Sequence, residues 1–210
     1  MYPRLMHRGL APSDCCSTSS TKPHPPTPLL ILPPLLFTNS SHFSVIHTTI
    51  TRTEFGTDDN GNTRWSSALL TDPFTSGIVS ITITILSLPS LFSSIRFGLM
   101  DSNNPIPAVG EDLGCVVKNS VGLDRYGQLW FKTPSPEGDC VRMEVDLDST
   151  PRTLQFFVND KAGRSYMSGI PSSVRIGFSV MGEGASFRID NIFRLSRPTS
   201  ISEGMNKVEL

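Results

Sequence analysis

The stretch Glu137–Asp160, EGDCVRMEVDLDSTPRTLQFFVND, carries the pattern that decides the fold. Apolar residues alternate with polar ones in two runs: Val141, Met143, Val145 and Leu147, then Leu154, Phe156 and Val158. Successive side chains of a strand point to opposite faces, so each run gives a strand with one apolar face. The stretch therefore predicts two neighbouring strands that pair across the short connection between the runs.

The same period of two recurs along the chain. It is found in the segments 42–47, 48–51, 79–85, 95–99, 174–180 and 187–189, and the segment 121–130 has the pattern of a hairpin. Gly and Pro, 16 and 17 in number, punctuate these segments, and no long stretch has helical period. The prediction is an all-β fold in which two antiparallel sheets pack face to face as a β-sandwich.

The chain of 210 residues divides into three parts by composition. Residues 1–40 are rich in Pro, Ser and Thr without a sustained period, and we expect them to be disordered because they cannot bury enough apolar surface. Residues 41–197 form the predicted sandwich. Residues 198–210 are expected to be a flexible tail.

Charge and hydropathy limit the partners. A formal net charge of −1 gives no electrostatic reason to expect nucleic acid. The apolar run Leu29–Phe37 is short and contains two prolines, so it does not predict a membrane span. We expect a monomer located in the cytoplasm.

No metal or cofactor site is predicted. The four cysteines show neither a CxxC pair nor a Cys/His spacing typical of zinc. The segment 58–62, DDNGN, resembles the start of a calcium loop, but Thr63 stands where glycine is required and Leu69 where glutamate is required. A turn between strands explains this segment better.

Three acids, Glu144, Asp146 and Asp148, share one face of the predicted strand. Some jelly-roll glycoside hydrolases carry a similar Glu-x-Asp-x-Glu pattern, so a carbohydrate-binding or carbohydrate-cleaving sandwich that uses these acids is the alternative. Asp148 is one methylene shorter than that pattern requires, and the separation of the carboxyl groups matters in such chemistry. The favoured interpretation is a hydrated outer face, with Arg142 available to pair with the acids.

The chain resembles the SPRY domain, the core of the B30.2 family, over residues 42–194. The likeness is carried by elements in the family's order: Glu137–Asp139, Val145–Asp148 and Leu154–Asn159. Further similar elements are Trp65 with Leu69-Leu70, Ser76-Gly77, Leu113-Gly114, Ser120–Leu123, Gly127, Ile176–Val180 and Phe187–Ile189. The chain departs from the family at Ile78–Ile81 and in the short connection 131–137.

The resemblance implies a curved two-sheet sandwich without catalytic activity that binds a protein or peptide through loops at one end. SPRY domains often serve as the substrate-recognition part of larger proteins, including ubiquitin ligases and kinases. The candidate partner-binding residues are Asp58, Asp59, Asn60, Arg64, Asn103, Asn104, Arg125, Tyr126 and Glu183. A third hypothesis is a non-binding remnant with a damaged N-terminal region.

Four aromatic residues receive more specific predictions. Phe156 shares a face with Leu154 and is expected in the core, whereas Phe157 points the other way and is expected under a loop rather than towards a partner. Trp65 and Trp130 are expected to fill space between the sheets.

Overall fold

The computed structural model describes residues 43–46, 48–53, 65–89, 94–104, 121–122, 137–201 and 204–209. These residues form twelve strands and contain no helix. The strands are β1 Phe43–Ile46, β2 Thr49–Arg52, β3 Ser66–Leu69, β4 Ile78–Ser87, β5 Ser94–Asp101, β6 Val121–Gly122, β7 Cys140–Asp146, β8 Thr153–Val158, β9 Lys161–Ser168, β10 Val174–Met181, β11 Ser186–Leu195 and β12 Asn206–Glu209. The prediction of an all-β chain is confirmed for these residues.

Two sheets make up the sandwich. The larger sheet has the strand order β1-β2-β11-β4-β7-β8-β9-β12, and the smaller sheet has the order β3-β10-β5-β6. Each described pairing is antiparallel except that of β9 with β12, which is parallel. The predicted two-sheet antiparallel architecture is therefore correct, with one parallel addition at an edge.

The core lies between the sheets and follows the period of two. In β4, the alternate residues Val79, Ile81, Ile83 and Ile85 are each at most 1% exposed. In the smaller sheet, β5 supplies Ile95, Phe97 and Leu99, which are equally buried. Burial of this continuous apolar layer is the main favourable term in folding, at roughly 25 cal/mol for each Å² removed from water.

The strand pair predicted from Glu137–Asp160 is present, as β7 and β8. Met143 of β7 lies opposite Phe156 of β8, and Val145 lies opposite Leu154. Phe156 is 3% exposed and belongs to the core, as predicted. Phe157 is also 3% exposed, and its ring lies under the guanidinium of Arg142, with 3.5 Å between the guanidinium carbon and the ring centroid. Phe157 is therefore covered, as predicted, and the group shown over its ring is the Arg142 side chain of β7, not the predicted loop.

Asn159 and Asp160 form the two-residue turn between β8 and β9. Both have positive φ, 49° and 61°, as the turn type that suits the twist of a hairpin requires. The side-chain nitrogen of Asn159 donates to the Asp139 carboxylate at 2.9 Å, and the Cys140 N–H donates to the Asn159 side-chain oxygen at 3.0 Å. Two elements of the SPRY resemblance, around Asp139 and Asn159, thus meet to close one end of the β7–β8–β9 sheet.

The strand β9 that follows this turn is not among the sequence predictions. Its residues KAGRSYMS lack an apolar alternation, and its pairing with β8 shifts register between Gln155 and Phe157. The predicted flexible tail, 198–210, also differs from the structure in part, because Asn206–Glu209 form β12 on the edge of β9.

Candidate functional site

The predicted partner-binding residues fall at two ends of the sandwich. Glu183 lies in the turn between β10 and β11 and is exposed. The flanking glycines, Gly182 and Gly184, have φ of 95° and 74°, which favours residues without a side chain. We call this region, where β10 ends and β11 begins, the Glu183 end.

Asp58, Asp59, Asn60 and Arg64 lie outside the described residues, but the strands that flank them reach the Glu183 end. The carbonyl of Arg52, the last residue of β2, accepts a hydrogen bond from the Gly184 N–H at 2.9 Å. Ser66, the first residue of β3, lies opposite Val180 near the end of β10. The connection that carries these four residues therefore leaves and re-enters the sandwich beside Glu183.

A tryptophan–arginine pair lies at the same end. The Arg96 guanidinium carbon is 4.2 Å from the centroid of the Trp65 ring, a distance typical of a cation–π interaction. Trp65 is only half-buried, which differs from its predicted place between the sheets. Trp65 precedes a strand in which Ala68 and Leu70 take the core positions, so the alternation directs the tryptophan away from the core.

Asn103 and Asn104 lie at the opposite end. Strand β5 runs antiparallel to β10, with Ser94 opposite Met181 and Asp101 opposite Val174. Seven residues of extended chain span roughly 23 Å, so the two asparagines are separated from Glu183 by about the length of the sandwich. Asn103 also folds back on its own turn, since its backbone N–H and its side-chain amide both donate to an Asp101 carboxylate oxygen at 2.9 Å.

The structure therefore does not bring Glu183 and the two asparagines together. Arg125 and Tyr126 lie outside the described residues. Strand β6 ends at Gly122, which pairs with Gly98, and it runs antiparallel to β5, towards the Glu183 end.

The three acids that sequence reasoning placed on a hydrated face have different surroundings. Glu144 is 3% exposed and Asp146 is 5% exposed, whereas Asp148 is exposed. The expectation of a hydrated face is thus wrong for the first two acids. Asp146 accepts the N–H groups of Asp148 and Ser149 at 3.0 Å each and so closes the turn after β7. Asp148 accepts the Gly77 N–H at 2.7 Å.

Glu144 is the centre of a network that involves the end of the chain. One carboxylate oxygen accepts the Thr199 backbone N–H at 2.6 Å, and the other accepts the Thr199 hydroxyl at 2.7 Å. Arg142 donates to the second oxygen at 2.9 Å, which confirms the predicted pairing of this arginine with an acid. A carboxylate taken out of water needs such partners, because an unpaired buried charge is strongly unfavourable.

A groove lies between the outer face of β7–β9 and the C-terminal segment, by which we mean residues 198–201 and 204–209. It has a volume of about 420 Å³. Its lining consists of Glu144, Asp146, Ser149, Pro151, Thr153, Gln155, Tyr166, Ser168, Pro198, Thr199, Ser200, Ile201 and Lys207. We call it the outer groove. Asp148 is not part of this lining, so only two of the three acids face a common space.

The two charged residues of β12, Lys207 and Glu209, form an ion pair with each other. The Lys207 ammonium donates to the Glu209 carboxylate at 2.5 Å. The hydrogen bond from Lys207 lowers the pKa of Glu209, and the same bond raises the pKa of Lys207. Both side chains are exposed, so this pair contributes little to stability.

Sequence reasoning did not find Thr199, Gln155, Tyr166 or Lys207. Thr199 lies 55 residues from Glu144, and no local pattern links the two. The only available signal is indirect: a glutamate in the middle of a central strand requires a donor from elsewhere.

The described residues contain no group of three or more His, Cys, Asp or Glu side chains arranged to hold a metal ion. Nor do they contain a helix with the length and apolar character needed to cross a membrane.

No protein-family model and no curated protein matches the chain. Among solved structures, the SPRY domain of human HERC1 is 14% identical, with a TM-score of 0.44 over 77% of this chain and 99% of its own. The TRIM65 PSpry domain is 14% identical, with a TM-score of 0.48 over 73% and 89%. The potassium-bound carbohydrate recognition domain of Emp46p is 12% identical, with a TM-score of 0.45 over 72% and 84%. SPRY domains, which the sequence resembles, are thus among the solved structures similar to this chain, and at these identities the likeness concerns the fold alone.

Proposed function

We propose that the chain is a non-catalytic module that binds a protein or peptide through the Glu183 end of its sandwich. The observation that carries the proposal is the half-buried Trp65, stacked with Arg96 beside the turn that exposes Glu183. Tryptophan and arginine are enriched among the residues that dominate the energy of protein interfaces. An aromatic ring held by a cation also offers apolar contact area without the cost of ordering a flexible side chain.

The charges around this pair suit a polar rim. Glu183 is exposed, β2 ends and β3 begins beside it, and the sequence between these two strands supplies the charges of Asp58, Asp59 and Arg64. Charged groups at a rim mainly guide association and select the partner, whereas the buried centre supplies affinity. A ligand with an apolar or aromatic residue for Trp65 and a basic residue for Glu183 fits this arrangement best.

The acids of β7 give less support to carbohydrate binding or cleavage. Thr199 and Arg142 already hydrogen-bond both oxygens of Glu144, and Asp148 turns towards Gly77. Most glycoside hydrolases require two carboxylates that flank a shared cleft. Glu144 and Asp146 both line the outer groove, but Asp146 already accepts the N–H groups of Asp148 and Ser149, and Asp148 is not part of the lining. Binding of the full chain to a glycan array, abolished by Glu144→Gln, would reverse this preference.

Affinity capture with the tagged full chain tests the proposal. Glu183→Arg and Asp72→Arg make the same change of charge at exposed positions, and Asp72 lies at the opposite end, just after β3. We expect a partner recovered by the unmodified chain to be reduced about tenfold or more by Glu183→Arg, the size typical of a rim charge facing an opposite charge, and retained by Asp72→Arg. Recovery of that partner unchanged by Glu183→Arg, or its loss with Asp72→Arg alone, would contradict the proposal.

A further inference from the structure

We infer that the outer groove is a second binding site, for an extended peptide of another protein in which a threonine or serine takes the place of Thr199. The C-terminal segment is the ligand of this site in cis. The site is distinct from the Glu183 end and does not depend on the function proposed there.

Glu144 binds Thr199 through both of its carboxylate oxygens. Glu144 lies between Ser80 of β4 and Gln155 of β8 in the register of the sheet, and it is almost completely buried. Two of its three donors come from one residue, the N–H and the hydroxyl of Thr199. Short hydrogen bonds to a charged acceptor are stronger than neutral ones. This bidentate contact therefore selects a residue that has both a free N–H and a hydroxyl.

The C-terminal segment also forms the edge strand of the larger sheet. Strand β12 adds to β9 in parallel, with Asn206 opposite Ser165 and Glu209 opposite Ser168. Asn206, Lys207 and Glu209 are exposed, so main-chain pairing, not side-chain burial, holds the strand. Addition of an extended peptide to a sheet edge is a general mode of peptide recognition. An edge that binds mainly through the backbone accepts a different sequence with little loss.

Part of the outer groove remains empty beside the C-terminal segment. The C-terminal segment spans the outer groove but leaves a cavity of about 420 Å³. The floor of the cavity presents hydrogen-bonding groups on β7, β8 and β9, among them Asp146, Thr153, Tyr166 and Ser168. On the segment side, Ile201 and Lys207 line the cavity, and the Gln155 amide of β8 contacts the Met205 sulfur at 3.3 Å. The segment therefore uses the ends of the site without filling it.

The Glu144 contact, the sheet edge and the cavity together define the peptide that the outer groove would bind. It is an extended chain with a threonine or serine at Glu144, polar side chains over the cavity, and backbone paired to β9 about seven residues later, as the spacing from Thr199 to Asn206 requires. A tethered segment has an effective concentration in the millimolar range, so it competes with any partner present at micromolar concentration. Weakening the tethered segment must then make the site available.

The experiment is a titration of a fluorescent synthetic peptide, residues 196–209 of this chain, into the full-length unmodified chain and its Thr199→Ala and Glu144→Gln variants. Thr199→Ala removes the hydroxyl hydrogen bond of the tethered segment and keeps its backbone N–H and Glu144, so we expect it to bind the peptide about tenfold more tightly than the unmodified chain, as one charge-assisted hydrogen bond allows. Glu144→Gln loosens the tethered segment too but damages the site, so its binding should not improve. A peptide with alanine in place of Thr199 lacks the same hydroxyl hydrogen bond and should bind the Thr199→Ala chain about tenfold more weakly than the threonine peptide does.

Ser196→Ala is the matched control, since Ser196 is exposed and precedes the segment. It should bind the peptide as the unmodified chain does. Equal binding by the unmodified and Thr199→Ala chains would overturn the inference, as would equal binding of the alanine peptide. If sedimentation shows that the unmodified chain dimerises with concentration and Thr199→Ala does not, the occupant is a second copy of the chain and the proposed partner peptide is wrong.

Discussion

Phe97 lies edge-on to Phe156, with their ring centroids 6.2 Å apart and their planes at 77°, and this contact joins the smaller sheet to the larger one. Phe97 also stacks on Phe178 at 5.0 Å, and Phe178 contacts Phe187 of the larger sheet at 4.6 Å. Such pairs add about 0.5–1.5 kcal/mol each beyond the area that they bury. The four rings form a continuous row through the core, so removal of one ring weakens the contact between the sheets.

Phe156→Ala should lower the free energy of unfolding by about 3–5 kcal/mol, because it opens a cavity and removes the contact with Phe97. Urea titration followed by fluorescence measures this loss. Leu86→Ala is the control, since Leu86 is 36% exposed and should cost less than about 1 kcal/mol. A loss below about 1 kcal/mol for Phe156→Ala would remove Phe156 from the core and contradict the register of β7 and β8.

Glu144→Gln should loosen the C-terminal segment. The substitution removes the charge that accepts the Thr199 N–H and hydroxyl, and we expect trypsin to cleave after Lys207 about tenfold faster as a result. Asp148→Asn is the matched control, because the amide oxygen can still accept the Gly77 N–H. Equal rates for Glu144→Gln and the unmodified chain would show that the Glu144–Thr199 contact does not hold the segment.

The pKa of Glu209 should report the docking of β12. The hydrogen bond from Lys207 lowers this pKa below 4.5, so any contribution of the pair to docking is present above the unfolded pKa and is lost as pH falls through the lowered folded value. NMR titration of the Glu209 carboxyl group should give a higher pKa in Lys207→Met than in the unmodified chain. Identical titrations of the two chains would contradict the pairing.

Gly77→Ala should cost more stability than Gly138→Ala. Both glycines have positive φ, 82° and 95°, so alanine carries a backbone cost of about 1–2 kcal/mol at either position. At Gly77 the added carbon also meets the guanidinium of Arg194, which donates to the Ser76 carbonyl at 2.8 Å, whereas the space around Gly138 is open. Urea titration of both variants checks the order, and a smaller cost at Gly77 would contradict the position of Arg194.

The period of two was sufficient to predict the strands that form the core. In β4, β7 and β8 the apolar residues recur at every second position, and β7 and β8, which are neighbours in sequence, also pair in the sheet. Strand β9 could not be predicted in this way, since Ala162 and Gly163 replace the apolar residues and the pairing with β8 is irregular. β12 has mostly exposed side chains, so burial leaves no pattern in its sequence.

The candidate sites were less predictable than the fold because they depend on contacts between distant segments. The alternation along β7 places Glu144 and Asp146 outward, but it does not show that residue 199 returns to cover Glu144. Similarly, the hydrophilic turns suggested one binding surface, whereas the pairing of β5 with β10 puts Asn103 and Glu183 at opposite ends. Strand direction, which a single sequence does not specify, decides which turns meet.

Hydrogen exchange of the Thr199 amide tests most directly whether the outer face of β7–β9 holds the C-terminal segment. In the unmodified chain this N–H donates to a buried carboxylate at 2.6 Å, so we expect exchange at least about tenfold slower than in a free peptide of the same sequence. The protection should disappear in Glu144→Gln and persist in Asp148→Asn. A Thr199 amide that exchanges as fast in the unmodified chain as in the free peptide would contradict the site at the outer groove.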